Sequence, residues 1–338
     1  MKRILYVGNN LTKKTKYYSS MELLCCQLEK EGYHIRVSSN KVNKIRRVLD
    51  MSWAVIKNRN WVDYILIDTF STSNFYFAFV VSQLSRLFKI KYIPILRGGN
   101  LPNRLDLSQG MSSKIFLNSF INVAPSNYLK NEFEKREYKV IHIPNIIEVN
   151  SYKFKKRTLI NPYLLFVRAF DRTYNPLMAI HVLKNVKMKF PTAKLCMIGP
   201  AKDDTFEEAK KLTSELNLTG DIEFTGVLTK KEWHEKSQDF DIFINTTNFD
   251  NTPVSVMESM ALGLPVVSTN VGGLPYLIDH EIDGILVGKN DVEDMSNQIG
   301  ELLKGPKKVE RIVHNARMKV EQFDWSIVKS KWNEILMV

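Results

Sequence analysis

The segment from Asn245 to Gly273 reads NTTNFDNTPVSVMESMALGLPVVSTNVGG. The apolar run Asp241–Asn245 leads into it and predicts a buried strand, and a polar loop follows. We expect Thr252 to be the N-cap of the next helix and Pro253 its first residue, because these residue types favour those two positions. A second apolar run, Pro265–Ser268, predicts the next strand. Strand, helix and strand in this order predict a parallel α/β sheet.

The start of the predicted helix has the features of an anion site. The backbone N–H groups of Val254 and Ser255 precede the first intrahelical hydrogen bonds, and the helix dipole favours negative charge there, which suits a diphosphate. Glu258 lies about 7–8 Å further along at 1.5 Å per residue, roughly the distance from a β-phosphate to the ribose hydroxyls of a nucleotide. Asp250 lies in the loop before the helix, where we expect it to hold sugar hydroxyls.

The alternation of strands and helices continues along all 338 residues. A single core rarely grows beyond roughly 250–300 residues, so we expect two domains. The apolar runs fall into one set in residues 1–150 and another in residues 158–323, and each set predicts its own doubly wound sheet. The basic stretch Asn150–Arg157 is the predicted linker. The C-terminal helix, residues 324–338, is expected to pack back on the first domain.

The spacing of Asp250 and Glu258, with seven residues between them, is followed by SMALGLPVV and VGGLP. This cluster resembles the retaining glycosyltransferases of family 4. The resemblance covers the C-terminal half well and the N-terminal half weakly, through APS at 124–126 and IPN at 143–145. It implies an α/β protein of GT-B fold, in which two doubly wound Rossmann-like domains face each other across a cleft. Residues 158–323 would bind a nucleotide-sugar donor and residues 1–150 the acceptor.

The resemblance also implies the residues of the donor site. Arg168, at the end of an apolar strand, and Arg172 are predicted to offset the charge of the leaving diphosphate, since guanidinium groups bind phosphate bidentately. For Arg172, a solvated loop charge is the alternative. Three positions of the donor site depart from the family: the first acid is usually Glu, Tyr174 stands where the family has Lys, and Arg168 is shifted by one residue. The full predicted set is Arg168, Arg172, Asp250, Asn251, Thr252, Pro253, Val254, Ser255 and Glu258.

On the acceptor side, the implied residues follow the first and fourth strands. The first of these turns often contains a glycine pair in the family, which this chain lacks. Arg97 is expected to meet an anionic acceptor, with a simple strand-to-loop turn as the alternative. The implied set is Gly8, Asn9, Asn10, Arg97, Gly98 and Gly99.

The reaction implied by the resemblance is a metal-independent transfer with retention of configuration. The donor would be a UDP-, GDP- or ADP-sugar, with a UDP-sugar favoured and no cofactor. The acceptor would be a hydroxyl of a glycan or lipid-linked glycan in cell-surface polysaccharide synthesis. The departing phosphate would assist removal of the acceptor proton, with Arg168 and Asp250 as the catalytic residues, Asp250 holding the sugar. Asp239-Phe-Asp241 matches a metal motif, but it precedes a strand, so we expect no metal there.

The net charge of +12 is uneven. Residues 1–150 contain 23 Lys or Arg and 11 Asp or Glu, whereas residues 151–338 contain 25 of each. Such a one-sided field indicates a polyanionic partner or an anionic membrane surface. Lys41–Arg59 combines basic residues with Trp53 and aliphatic residues, which is typical of a helix lying on anionic lipid. A helix that covers the sheet is the alternative.

Three cysteines without paired spacing suit a reducing compartment. The N-terminus lacks the features of a signal peptide, and the longest apolar stretch, Phe75–Leu87, is interrupted by polar residues. We therefore expect a cytoplasmic protein, peripheral on the inner face of the cell membrane. Two alternatives stay open. One is a GT-B-like UDP-sugar epimerase, which needs no acceptor. The other is a basic nucleic-acid-binding protein, disfavoured because no recognisable binding module accompanies the charge, so we expect no nucleic-acid partner.

Overall fold

The computed structural model describes residues 2–8 and 20–337. The chain forms two compact units. Unit 1 comprises Met1–Ile146 and Trp325–Val338, and unit 2 comprises Ile147–Asp324. Each unit contains one six-stranded sheet in which all strands are parallel, as the alternation of runs in the sequence predicts.

Unit 1 has its strands at short apolar runs and its helices at the amphipathic runs between them. The strands are β1 Arg3–Val7, β2 His34–Ser38, β3 Tyr64–Thr69, β4 Lys91–Leu96, β5 Asn122–Ala124 and β6 Val140–His142. The helices are α1 Ser20–Lys30, α2 Lys44–Asn58, α3 Asn74–Leu87, α4 Leu101–Leu107, α5 Gln109–Phe116, α6 Asn127–Glu134 and the C-terminal α13 Trp325–Leu336. The strand order is β2-β1-β3-β4-β5-β6, so the direction of winding reverses between β1 and β3.

Helix α13 packs on the unit 1 sheet although about 180 residues of unit 2 precede it in sequence. Its Trp325, Val328 and Trp332 join the core cluster that contains Ile4 and Tyr6 of β1. At the helix ends, the Trp325 indole N–H donates to a Glu31 carboxylate oxygen at 3.1 Å, and the Tyr33 hydroxyl donates to Asn333 at 2.9 Å. The last helix is therefore a structural part of unit 1.

Unit 2 follows the same plan. Its strands are β7 Tyr163–Val167, β8 Lys194–Ile198, β9 Ile222–Gly226, β10 Ile242–Asn245, β11 Val266–Thr269 and β12 Ile285–Val287. Its helices are α7 Pro176–Lys189, α8 Thr205–Glu215, α9 Lys230–Lys236, α10 Val254–Ala261, α11 Val292–Lys304 and α12 Pro306–Glu321. The strand order is β12-β11-β10-β7-β8-β9, the Rossmann order, which reverses between β7 and β10.

The predicted linker Asn150–Arg157 is a structured part of unit 2, which differs from the sequence prediction. Tyr152 is buried, and Arg157 is only 1% exposed. The Arg157 guanidinium donates to four backbone carbonyls outside the segment, those of Ser237, Phe240, Leu262 and Gly263, and to the Asp241 carboxylate. The segment shows no apolar periodicity in the sequence, because the hydrogen bonds of the buried Arg157 guanidinium hold it in place rather than the packing of an apolar face.

Asp241 completes this buried network at the entrance of β10. Its carboxylate accepts hydrogen bonds from the backbone and side chain of Asn161 and from Lys155 and Arg157. Burial by itself raises the pKa of Asp241, but the Asn161 hydrogen bonds and the Lys155 charge together hold that pKa below its usual value. The ionised carboxylate is therefore the stable form in the folded chain.

We expect Asp241→Asn to lower the free energy of unfolding by about 3–5 kcal/mol, because it leaves the buried Arg157 cation without its counter-charge. Asp239 is the matched control, since it lies on the same short segment but is exposed, so Asp239→Asn should change stability by less than about 0.5 kcal/mol. Urea denaturation of both variants checks this. Equal stability of the two variants would contradict it.

The same network predicts a pH dependence. The pKa of Asp241 is lower in the folded chain than in the unfolded chain, so its stabilisation is complete above about pH 4 and is lost as the pH falls further. The Asp241→Asn variant should lack this part of the acid dependence, which denaturation midpoints between pH 7 and pH 3 would measure.

The longest apolar stretch of the sequence, Phe75–Leu87, forms α3. Its Phe75, Ala78 and Val81 are buried in unit 1. None of the helices in the described parts of the chain is both long and apolar enough to cross a membrane.

Candidate active site

Two charged side chains lie at the carboxyl edge of the unit 2 sheet, where the strand order reverses. The chain leaves β7 at Arg168, and it leaves the neighbouring β10 into the loop that contains Asp250. Arg168 Nη2 donates a hydrogen bond to Asp250 Oδ2, and the two side chains are 14% and 17% exposed. Doubly wound sheets bind ligands at this reversal point. The structure thus brings together two residues that the sequence singled out.

The Arg168 guanidinium also packs on the ring of Tyr174, with Cζ 4.7 Å from the ring centre. Burial raises the pKa of the Tyr174 hydroxyl, so this residue contributes a neutral aromatic face where the family has a cation. The guanidinium is therefore held in place by Asp250 and Tyr174, and its buried Nε–H has no hydrogen-bond partner among the described residues.

The glycine pair at the end of the motif supports the Asp250 loop. Gly272 has a φ of +55°, and a Cβ atom on it would lie 2.1 Å from the Asp250 carbonyl oxygen. A Cβ atom on Gly273 would lie 2.0 Å from the Asn251 carbonyl oxygen, and the Gly273 N–H donates to the Asp250 carbonyl at 3.0 Å. Only glycine permits so close an approach of two backbones. The spacing between the acid and the glycines therefore has a packing cause.

The helix after the loop starts one residue later than predicted. Pro253, predicted as the first helical residue, is the N-cap, and α10 starts at Val254. The prediction of Thr252 as N-cap is therefore wrong. Pro253 has the φ of −66° that its ring requires, but its ψ of 120° is extended, so it stands outside the helix.

The corrected start keeps the predicted donors at the helix end. The first bonds back to the Pro253 carbonyl come from the N–H groups of Val256 and Met257, so those of Val254 and Ser255 precede the helical ladder. The Ser255 hydroxyl is buried and has no hydrogen-bond partner within residues 2–8 and 20–337. Two backbone donors and one hydroxyl therefore lie together at the N-terminus of α10.

Glu258 lies on the same helix and has two partners that the sequence did not reveal. Its Oε1 accepts a hydrogen bond from the Tyr152 hydroxyl and pairs with Lys230 Nζ, both at 2.9 Å. Glu258 is only 7% exposed. Burial, followed by the charge of Glu258, raises the pKa of Tyr152, so its hydroxyl acts as a hydrogen-bond donor. Tyr152 comes from the predicted linker and Lys230 opens α9, and no sequence pattern links either to the acid motif.

His234 borders this cluster as a neutral side chain. Its ring lies 4.7 Å from that of Tyr152. Burial, followed by the nearby Lys230 charge, lowers the pKa of His234 to about 3. His234 is therefore uncharged at neutral pH, and the positive charge beside Glu258 comes from Lys230.

Arg172 is placed differently from Arg168. Its side chain is 63% exposed and pairs with Asp204 and Glu208 at 2.7 and 2.8 Å. Its backbone N–H donates to Asp203. The structure therefore engages Arg172 with acids at the start of α8, and its predicted contact with a phosphate stays a prediction.

In unit 1, the predicted acceptor-side residues lie at the strand ends around the point where the strand order reverses. Gly8 follows β1, and a Cβ atom on it would lie 2.7 Å from an Asp68 carboxylate oxygen. Arg97 and Gly98 follow β4, and a Cβ atom on Gly98 would lie 2.6 Å from the Ser71 nitrogen. Gly99 lies in the same turn before α4, whereas the predicted Asn9 and Asn10 lie outside the described residues.

Arg97 is engaged in a buried network within unit 1. Its Nε donates to Asp68 at 3.0 Å, its Nη2 to the Tyr6 hydroxyl at 3.1 Å and its Nη1 to Asn145 at 2.5 Å. The Tyr6 hydroxyl donates to the same Asp68 oxygen at 2.8 Å. This Asp68 contact offsets the Arg97 charge and fixes the guanidinium, so Arg97 has a structural role at the strand ends beside any contact with an acceptor.

Across residues 2–8 and 20–337, no group of three or more His, Cys, Asp or Glu side chains is arranged to hold a metal ion. The Asp241 carboxylate of the Asp239-Phe-Asp241 motif accepts hydrogen bonds from Asn161, Lys155 and Arg157. It precedes β10 and thus lies at the opposite end of that strand from the Asp250 loop.

A family model described as "Glycosyl transferases group 1" matches residues 150–319. A sulfoquinovosyl transferase of Arabidopsis thaliana is 30% identical over 45% of this chain and 29% of its own length. An amylovoran biosynthesis glycosyltransferase of Erwinia amylovora is 30% identical over 39% of this chain and 34% of its own length. An uncharacterized glycosyltransferase of Haemophilus influenzae is 24% identical over 66% and 56%. The chain thus spans roughly a third to a half of the length of these relatives.

Solved structures match both units. Sucrose-phosphate synthase from Thermosynechococcus elongatus is 14% identical with a TM-score of 0.82, covering 99% of this chain and 98% of that one. Anabaena HepE in complex with UDP and glucose is 16% identical with a TM-score of 0.78, covering 100% of both chains. At these identities the likeness shows the fold, which is that of two Rossmann-like domains, GT-B.

Proposed function

Because the chain belongs to the group 1 glycosyl transferases, we propose that it moves a sugar from a nucleotide-diphosphate sugar to a hydroxyl of a glycan or lipid-linked acceptor. The observation that carries the proposal is the arrangement in unit 2. Arg168 and Asp250 pair where the strand order of the sheet reverses. The loop that contains Asp250 leads into the start of α10, where backbone N–H groups precede the first helical hydrogen bonds, and α10 contains the buried carboxylate of Glu258. We assign the donor to unit 2 and the acceptor to unit 1.

We assign the diphosphate of the donor to the N-terminus of α10. The backbone N–H groups of Val254 and Ser255 and the helix dipole favour two negative phosphates. The buried Ser255 hydroxyl, which lacks a partner in the described chain, supplies a third donor there. Arg168 adds a cation whose Nε has no partner within the same residues. Arg172 joins it only if its pairs with Asp204 and Glu208 are exchanged for the phosphate.

The nucleoside is assigned to Glu258, about 6 Å along the axis from Val254 at 1.5 Å per residue. Its Oε2 accepts hydrogen bonds from the ribose hydroxyls, while Tyr152 and Lys230 hold Oε1. A UDP-sugar is favoured because Anabaena HepE, which shares the fold, has been crystallised with UDP-glucose.

The sugar is assigned to Asp250, which holds its hydroxyls while paired with Arg168. The bond between the anomeric carbon and the phosphate oxygen breaks, and the acceptor oxygen bonds to that carbon on the same face. The acceptor proton passes to the departing phosphate oxygen. We assign the stabilisation of that phosphate to Arg168 and the helix start, without a metal ion.

A screen of nucleotide sugars tests the proposal. UDP-, GDP- and ADP-sugars are added to the protein in EDTA, and the melting temperature is recorded, because a ligand that binds the native state raises it. One nucleotide class should stabilise the protein, and its sugar should then be transferred or slowly hydrolysed with release of the nucleoside diphosphate. Stabilisation by none of them, or only after a divalent metal is added, would contradict the assignment.

The glycine pair gives a sharper test of the Asp250 loop. Gly273→Ala would place Cβ 2.0 Å from the Asn251 carbonyl oxygen and must displace the loop, so we expect nucleotide-sugar affinity to fall at least about tenfold. Gly220→Ala is the matched control, because a Cβ atom there has no atom within 4 Å among the described residues. Calorimetric titration of both variants measures the difference. Equal affinity would show that the loop position does not matter for binding.

A further inference from the structure

Helix α2 of unit 1 has two apolar faces, and only one of them packs on the sheet. Met51 and Val55 are buried in the core cluster that includes Leu5 and Val7 of β1. Arg47, although charged, is also buried, since its guanidinium donates to the Lys41 and Val42 carbonyls. This inner face accounts for the helix as a cover of the sheet, which was one of the two interpretations of Lys41–Arg59.

The opposite face of α2 is apolar and exposed. Ile45, Leu49 and Trp53 follow one another at every fourth residue, and they are 71%, 63% and 62% exposed. Val42, which lies just before the N-cap Asn43 of α2, is 59% exposed. We call these four residues the α2 stripe. A sheet-covering helix normally has polar residues on its outer face, so burial in unit 1 does not explain the stripe.

Cations border the α2 stripe. At about 100° per residue, Arg46 and Lys57 lie some 60–80° from Leu49 around the helix. Both are exposed, as are Lys41 and Arg59 at the two ends of the segment. Residues 41–60 contain six Lys or Arg and a single acid, Asp50. Asp50 is half-buried and accepts a hydrogen bond from Ser38. The outer face is thus an apolar strip beside positive charge.

We propose that the α2 stripe docks on an anionic lipid bilayer, with α2 lying in the plane of the interface. Aliphatic side chains enter the boundary of the acyl chains, Trp53 lies at the level of the headgroups, and the flanking cations meet anionic lipids. The charge of the whole unit agrees, since unit 1 contains 25 Lys or Arg and 11 Asp or Glu. A second copy of the chain is a poorer occupant, because it would bring two sets of six cations together.

This inference is independent of the proposed catalytic site, since it concerns a face of unit 1 and requires no turnover. It gives unit 1 a lipid surface as its partner and accounts for the uneven charge of the chain. It also places any lipid-linked acceptor within the reach of the same unit.

Vesicle flotation of the full chain tests it. We expect binding to vesicles of phosphatidylglycerol and phosphatidylcholine, a clear loss at high salt, and little binding to phosphatidylcholine alone. Trp53 provides an internal probe, because Trp233, Trp325 and Trp332 are buried and Trp61 is half-buried against Arg36. The tryptophan emission should shift to the blue on anionic vesicles, and Trp53→Phe should remove that shift.

Two sets of variants separate the apolar and electrostatic contributions. The double variant Leu49→Ser with Trp53→Ser should partition at least about thirtyfold less, and Arg46→Gln with Lys57→Gln about twentyfold less. Met188→Ser is the control, because Met188 of α7 in unit 2 is an apolar side chain that is 71% exposed but lies outside the α2 stripe. This variant should bind vesicles as well as the wild type does. Melting temperature verifies that each variant is folded, which is expected because the changed side chains are exposed.

Three results would overturn the proposal. The first is equal binding to neutral and anionic vesicles, and the second is unchanged vesicle binding by both double variants. The third is sedimentation of the chain as a dimer that Leu49→Ser with Trp53→Ser dissociates, since that would assign the α2 stripe to a second copy of this chain.

Discussion

Replacing Asp250 by alanine should lower kcat/KM for sugar transfer by about 10²–10³-fold, the usual effect of removing a group that orients and stabilises the reacting centre. Asp250 is the acid to which we assign the donor sugar, and it also accepts a hydrogen bond from Arg168. Under this proposal, its loss removes the sugar contact and also frees the guanidinium that we assign to the leaving phosphate. Transfer rates at saturating and limiting donor would show a fall in kcat as well as in kcat/KM.

The companion variants separate those two effects. Arg168→Ala should cause a loss of similar size, and Arg168→Lys should restore little, because an ammonium group neither stacks on Tyr174 in the same way nor binds phosphate bidentately. Arg172→Ala tests the predicted phosphate contact of Arg172 itself. A tenfold or larger loss would support its phosphate contact, whereas full activity would leave it as an exposed residue paired with Asp204 and Glu208. More than a tenth of the activity in Asp250→Ala would contradict its role.

Replacing Glu258 by glutamine should weaken binding of the nucleoside diphosphate about 10²-fold, since hydrogen bonds to a charged group contribute about 1.5–3 kcal/mol each. Glutamine keeps the size of the side chain and an acceptor for the Tyr152 hydroxyl, so the buried site is little disturbed. Calorimetry with UDP and 2′-deoxy-UDP makes the test specific. Wild type should discriminate between the two ligands, and Glu258→Gln should not, because the coupled loss locates the ribose hydroxyl at this carboxylate.

Lys230→Met is the control for Glu258→Gln. It removes the cation at 2.9 Å from Glu258 Oε1 while leaving the carboxylate in place. If Glu258 contacts the ribose directly, the preference of this variant for UDP over 2′-deoxy-UDP is retained. If Lys230→Met loses the preference as completely as Glu258→Gln, the ion pair rather than the carboxylate recognises the ribose.

Much of the fold was predictable, because burial on both faces of a parallel sheet gives most of its strands a short apolar run. The strand Asp241–Asn245 was predicted to within one residue of β10, and Arg168 was predicted at the end of an apolar strand, which is β7. The helix boundary after Asp250 was displaced by one residue, because Pro253 has an extended ψ of 120° at the end of a loop that packs on Gly272 and Gly273. A local rule for helix starts does not contain that contact.

The residues that sequence reasoning missed owe their roles to contacts between distant segments. Tyr152 and Lys230 meet Glu258 from 106 and 28 positions away, and neither stands in a periodic pattern. Arg157 looked like part of a polar linker, yet it is fixed by Asp241 and four carbonyls from elsewhere in unit 2. Arg97 was predicted to meet an anionic acceptor, and only the fold brings Asp68 to it. Neither composition nor residue spacing can predict a charged side chain whose partners are distant in the sequence.

Hydrogen exchange with and without nucleotide tests the central claim most directly, because it locates the binding site on the chain. The nucleoside diphosphate that corresponds to the stabilising nucleotide sugar of the EDTA screen is added at saturation, and amide exchange is followed by mass spectrometry. We predict slower exchange in peptides covering residues 250–258, the loop after β7 at Arg168 and the start of α9 at Lys230. Unchanged exchange in 250–258, with protection confined to the basic surface of unit 1, would contradict the claim.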